Sequence, residues 1–207
     1  MLFRSYTVNG KETKLLENTS QLYNWYASLV KDIADSKDAA LQMLVDSLTA
    51  KKATEDEKIK SVFYWVQDHI KYIAWEDGLG GFIPRAPALV SSRKYGDCKD
   101  MATLTTSMLR MAGIDAYMTW IGTRHIPYKY EEVPTPSVDN HMICAVKQKT
   151  GWIFLDATGQ FVKYGMPSMD IQSKEALIGL DSVKFVIETV PVVEAAVNLD
   201  RKSTRLN

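Results

Sequence analysis

The chain of 207 residues has only two cysteines, Cys98 and Cys144, and only three histidines, His69, His125 and His141. No Cys/His cluster has metal-ligand spacing, so neither a metal nor another cofactor is expected. Two thiols leave the redox compartment undecided. There is no phosphate-cradling glycine loop and no internal repeat. No apolar run is long enough to span a bilayer. Neither sign of charge is in excess: Lys plus Arg and Asp plus Glu are both 25. That balance offers no electrostatic reason to expect nucleic acid or an anionic membrane as partner. The opening Met1-Leu2-Phe3-Arg4-Ser5-Tyr6 lacks the apolar core of a signal peptide, and the compartment stays open.

What is present has the make-up of a soluble globular chain, long enough for one domain with a full core and some extra. The chemistry is concentrated at Tyr95-Gly96-Asp97-Cys98-Lys99-Asp100. Asp97 stands where a helix N-cap belongs, and Cys98 follows at the first helical position. Met101, Leu104, Met108, Leu109 and Ala112 then recur at helical spacing, and Gly113 closes the helix. Unpaired N–H groups and the positive end of the dipole favour a thiolate at Cys98. The competing reading is a buried structural cysteine.

Two polar partners follow in chain order. His141 opens a strand that runs through Val146, Lys149-Thr150-Gly151 reads as a turn, and Trp152-Ile153-Phe154-Leu155-Asp156 returns. A loop with an even residue count puts His141 and Asp156 on one face, opposite or diagonal; an odd count separates them unless a bulge intervenes. An imidazole beside a carboxylate is what orients a base for a cysteine nucleophile. Cys144 alternates to the face away from His141 and reads as a core residue.

Upstream, residues 2–8 and 13–16 read as short strands about the turn pair Asn9-Gly10. Asn18-Thr19-Ser20 starts a helix with Leu22, Trp25, Tyr26, Leu29, Val30 and Ile33 on its stripe. A second helix runs from Ala39 to Leu48. Thr54-Glu55-Asp56-Glu57 is a capping box for a third, with Ile59, Val62, Phe63, Val66 and Ile70 inward. The chain is irregular from Ile73 to the cysteine helix. Residues 116–121 form a strand. The long loop 122–140 ends at His141 and is expected to wall a cleft. His125 in that loop is a rival base without a strand to fix it, and His69 is a boundary residue. Gly165-Met166-Pro167 is a turn, and residues 183–188 form a last strand. The fold class is α+β, helices first and then the cysteine helix on an antiparallel sheet.

Gly96-Asp97-Cys98-Lys99-Asp100, Asn140-His141 and Trp152-Ile153-Phe154-Leu155-Asp156-Ala157-Thr158 together resemble the transglutaminase-like superfamily, over roughly residues 55–190. The likeness is greatest to the bacterial branch that follows an N-terminal domain of unknown function in larger, often exported proteins. The resemblance implies a papain-like core and a Cys-His-Asp triad, with Cys98 as nucleophile, His141 as base and Asp156 as orienting acid. It implies an oxyanion role for Trp75, against the plainer reading of an anchoring aromatic in a glycine-rich loop. The scattered acidic residues do not suggest the calcium sites of animal transglutaminases.

The implied activity is thiol acyl transfer on peptide or carboxamide bonds through a thioester, with hydrolysis favoured over amine cross-linking and a protein or peptide as substrate. The alternative is a non-catalytic peptide- or glycan-binding module that retains the groove. Loss of the cysteine or histidine would mark such a module, and both are present. Three segments are expected. Residues 1–18 are the remnant of a preceding domain or an irregular arm, 19–190 the transglutaminase-like domain, and 191–207 a linker and a non-native tail. The last eight residues are abruptly polar and match one reading frame of a common sequencing-library adapter; an ordinary disordered terminus is the alternative. By resemblance the parent is a larger multidomain protein, exported or periplasmic.

Overall fold

A computed structural model of the protein describes residues 5–14, 16–31, 33, 38–74 and 77–196. Strands β1 (Ser5–Val8) and β2 (Lys11–Lys14) form an isolated antiparallel pair. Their turn places Asn9 and Gly10 at φ 51° and 76°, the left-handed pair that a tight hairpin needs. β1 lies within the expected 2–8, and β2 begins two residues before the expected 13–16; residues 1–4 and 15 lie outside the described part. Helix α1 (Thr19–Val30) is N-capped by Asn18 and buries Leu22, Tyr23, Tyr26, Ala27 and Val30. It stops before Ile33, which therefore falls off the expected stripe.

Helices α2 (Ala39–Thr49) and α3 (Glu55–His69) follow, α3 with the expected Thr54/Glu57 capping box. Strand β3 (Lys71–Tyr72) then pairs in parallel with β4 (Tyr95–Gly96). The segment between them is more regular than its glycines and prolines suggest. It holds a 3-10 turn at Gly78–Gly81 and helix α4 (Pro87–Arg93), started by proline at its first position. Seven residues are too few for a periodic stripe to show, so this helix was not legible from spacing.

Helix α5 (Cys98–Met111) is the centre of the molecule, buried from Cys98 through Leu109. Its C-terminus closes on Gly113 at φ 77°. Gly113 N–H donates to the Arg110 carbonyl at 2.9 Å and Ile114 N–H to that of Leu109 at 3.0 Å, a Schellman closure. Met101, Leu104, Met108 and Leu109 are each at most 1% exposed. Burying side chains of this size is worth about 1.5–3 kcal/mol apiece. Thr103, Thr105, Thr106 and Ser107 are buried as well, because α5 is covered on every side.

The sheet has order β7-β6-β5-β8-β9, all neighbours antiparallel. Its strands are β5 (Ala116–Ile121), β6 (His141–Gln148), β7 (Gly151–Leu155), β8 (Glu175–Gly179) and β9 (Phe185–Thr189). One face packs Cys144, Val146 and Leu155 against Met101, Leu104 and Met108 of α5, with α2 and α3 behind. The same face packs Met118 and Trp120 against Tyr23 and Tyr26 of α1. The opposite face gathers Ile121, Ile143, Phe154 and Ile178. β8 carries no alternation visible in sequence, since its inner residues are buried throughout, and it was not anticipated. β9 starts two residues later than expected. The expected linker and tail lie mostly outside the described residues, from 197 onward.

Candidate active site

Cys98 occupies the first position of α5, and the chain leading into it is held by a dense set of polar contacts. The Asp97 carboxylate accepts from Asp100 N–H at 3.3 Å, and the Asp100 carboxylate accepts from Asp97 N–H at 3.1 Å. This is a reciprocal capping box with aspartate in the place of the usual glutamate. Asp100 also accepts from the Arg85 N–H at 2.7 Å, and the Arg85 guanidinium lies 3.5 Å away. Lys99 is 3% exposed and ion-pairs with the buried Asp97. A Cβ on Gly96 would come within 2.7 Å of Asp100 Cβ, so only glycine lets the carboxylate fold back onto the cap. Asp97 at the cap was anticipated; Lys99 and Arg85 were not, because their burial is decided by chain segments far apart in sequence.

His141 begins β6, paired across to Ile121 on β5. The β6–β7 loop has two residues, Lys149 and Thr150, and sets Gln148 opposite Gly151 and Cys144 opposite Leu155. The even count holds, and continuing the register puts Asp156 opposite Ile143. His141 and Asp156 are therefore diagonal on one face. His141 Nε2 lies 3.1 Å from Asp156 Oδ2, which leaves Nδ1 for the second partner of the ring, the Cys98 thiol. Asp156, expected as the last residue of the returning strand, follows directly after β7.

Asp156 is itself held. Its Oδ1 accepts from Thr158 Oγ1 at 2.6 Å and Thr158 N–H at 3.2 Å, and its Oδ2 accepts from Ser168 Oγ at 3.2 Å. Thr158 closes the motif read from the sequence without a role of its own there, and Ser168 was not singled out. The Asp-x-Thr spacing is an Asx-turn signal that reveals the first; no local signal reveals the second.

These contacts decide the charges. Burial alone would lower the basicity of His141. The hydrogen bond to Asp156, the one to Cys98 and the charges of both outweigh burial and raise it to about 10. Burial likewise pushes the Asp156 carboxyl up, but the His141 bond and charge, with Thr158, hold it below its usual range. An imidazolium between a carboxylate and a sulfur is the outcome.

Cys98 and His141 open onto a cavity of about 290 Å³, to which Lys99, Tyr26, Trp120 and Asp139 also contribute. Pro136, Asp139 and Asn140 bring the end of the 122–140 loop into its wall, as expected of that loop. A larger cavity of about 490 Å³ between α1 and the β8–β9 turn contains none of Cys98, His141 or Asp156.

The remaining candidates fall elsewhere. His125 is exposed on the loop and does not line the cavity. His69 is exposed at the end of α3, its ring against Trp65. Cys144 is fully buried in the core beneath α5, where burial raises its thiol to about 11. Trp75 lies outside the described residues. Among the described residues no group of three or more His, Cys, Asp or Glu side chains is arranged to hold a metal ion, and no helix is long and apolar enough to cross a membrane.

A cysteine at the start of a buried helix, set against an antiparallel sheet that carries histidine and aspartate, defines an α+β fold of the transglutaminase-like type. The model of the Transglutaminase-like superfamily matches residues 42–157, more than half the chain, and the protein belongs to that superfamily. The match runs from α2 to the residue after Asp156. No curated protein matches the sequence.

Among solved structures, a candidate protease from Parabacteroides distasonis superposes with a TM-score of 0.62 at 16% identity, covering 93% of this chain and 36% of its own. A candidate cysteine protease from Cytophaga hutchinsonii gives 0.44 at 20% identity, covering 57% and 37%. LapG from Legionella pneumophila gives 0.44 at 14% identity, covering 71% and 74%. The P. distasonis match shows a shared fold, and this chain spans about a third of that protein's length.

Proposed function

We propose that this protein is a thiol acyl-transfer enzyme that cleaves peptide or carboxamide bonds, with Cys98, His141 and Asp156 as its catalytic residues. The observation that carries the proposal is the single half-buried imidazole hydrogen-bonded to Asp156 on one side and Cys98 on the other. The superfamily and the candidate-protease standing of the P. distasonis relative support it.

In this reading Cys98 Sγ attacks the carbonyl carbon, and its proton resides on His141. The tetrahedral oxyanion is held by the Cys98 N–H, which as a first-turn donor has no acceptor within its own helix. The C–N bond then breaks, His141 returns its proton to the leaving amine, and an acyl-thioester remains on Cys98. Water, deprotonated by His141, attacks the thioester and releases the carboxylic acid and the thiol. An amine in place of water would give a cross-linked amide; hydrolysis is the favoured branch. Asp156 keeps the imidazole oriented and stabilises its charge. Residues 19–190 are read as the catalytic unit, within a larger parent protein.

The test is a screen of peptide amides followed by mass spectrometry of the intact protein. An acyl adduct on Cys98, absent from Cys98→Ala and His141→Ala, is the expected result. Added primary amine distinguishes the branches by the product formed. Failure to form any adduct, with peptides still bound, would return the protein to the alternative of a peptide- or glycan-binding module.

A further inference from the structure

A second acid faces the same cavity. Asp139 lines it together with Cys98 and His141. Both of its carboxylate oxygens lie 2.9 Å from the Tyr26 hydroxyl, and one lies 3.1 Å from that of Tyr130. The Tyr130 hydroxyl also points at the Trp120 carbonyl, 2.9 Å away, and a phenol has one proton to give. Two hydroxyl protons, one of them shared, thus serve two carboxylate oxygens with acceptor capacity for about four. Among the described residues no lysine, arginine or histidine forms an ion pair with Asp139. Lys99, the cation on the cavity wall, is committed to Asp97.

An asparagine would satisfy the two hydroxyls without holding a charge in a half-buried place. A carboxylate kept in such a place is costly, and burial pushes Asp139 up to about 7 against the lowering effect of the two hydroxyls. The cost is offset when a cation enters. The cavity supplies a second feature of the same kind. Tyr26 and Trp120, both on its wall, stack with ring centroids 5.0 Å apart and planes 3° from parallel. Aromatic rings beside a carboxylate form the usual environment of a bound cation.

We infer that Asp139, with Tyr26 and Trp120, is a specificity site that selects a lysine or arginine side chain next to the scissile carbonyl. The inference rests on the acyl-transfer reading of this cavity. It concerns binding of substrate and adds no chemical step.

The experiment uses one peptide amide series that differs at a single position, lysine against the uncharged norleucine and against glutamate, scanned on each side of the scissile bond. At one position wild type should favour lysine over norleucine in kcat/KM by at least roughly tenfold, the scale of one charge-assisted contact. Asp139→Asn should bring that ratio to about one. The same peptides are titrated against Cys98→Ala protein, with and without Asp139→Asn, to read the preference without chemistry. Turnover with no lysine preference, or a preference that survives Asp139→Asn, overturns the inference and leaves the acyl-transfer reading standing. A binding preference that Asp139→Asn abolishes, without turnover of any peptide, supports Asp139 as the cation-selecting group and overturns its placement beside a scissile carbonyl together with the acyl-transfer reading. Should Asp139→Asn not fold, the wild-type ratio decides: it must exceed one and fall with added salt, and a ratio of one at low salt overturns the proposal.

Discussion

Asp156→Asn isolates the carboxylate's share of the site. Asparagine keeps the shape, and its carbonyl oxygen still accepts from Thr158, whose hydroxyl lies 2.6 Å from the native Oδ1. The edge facing His141 Nε2, now 3.1 Å from a carboxylate oxygen, loses its charge. His141 sits at about 10 in place of 6.5, which corresponds to an order of magnitude of 5 kcal/mol at about 1.4 kcal/mol per tenfold change. Asp156 and Cys98 share that sum, so the substitution removes about 2–3 kcal/mol. Burial, which opposes the charge, remains, and the imidazole should fall well below its native value, part of the way back to the ordinary 6.5.

With three histidines in the chain, His141 can be followed by NMR of the ring carbon-bound protons. Wild type should keep His141 charged through neutral and mildly alkaline pH, whereas the variant should lose that charge at a distinctly lower pH. Stability responds with a defined sign. A raised histidine contributes fully below about 6.5 and loses its contribution as pH rises through about 10. A lowered aspartate contributes above its ordinary range, about 4, and loses its contribution as pH falls through its folded value. The gap in unfolding free energy between wild type and variant should therefore be widest between about pH 4 and 6.5 and narrow on both sides. A His141 that titrates near 6.5 in both proteins would refute the reasoning.

Three further outcomes are expected. Gly96→Ala forces a Cβ to within 2.7 Å of Asp100 Cβ and should destabilise the protein by about 1–3 kcal/mol in urea unfolding; an unchanged midpoint contradicts the close approach. Lys99→Met leaves Asp97, fully buried, without its cation and should cost about 3–5 kcal/mol, part of which Asp97→Asn in the same chain restores. Equal stability of the single and double variants would show that the pair is uncoupled. Native protein treated with iodoacetamide should carry one adduct, on Cys98, because Cys144 is fully buried with its thiol raised to about 11; rapid labelling of both contradicts this.

Periodicity and caps made most of the fold legible. Helices α1, α2, α3 and α5 and strands β5 and β6 lie where apolar spacing and Asn18, Thr54 and Asp97 put them, because each signal is read within a few residues. The same locality hid α4, too short for a stripe, and β8, whose buried run has no alternation. The site divides in the same way. Cys98 at a helix start and His141 with Asp156 on one hairpin follow from short-range spacing, and a two-residue loop is enough to place the last two on one face.

What joins Cys98 to that hairpin is a contact across 43 residues, and it exists only because α5 packs along β6. Tertiary structure alone decided that Lys99 turns inward to Asp97, that Ser168 reaches Asp156, and that Tyr26 and Tyr130, far apart in sequence, meet at Asp139. Each of these is a polar group taken out of water. The partner that offsets its desolvation comes from a distant segment, and only packing, which no local pattern encodes, brings the two together.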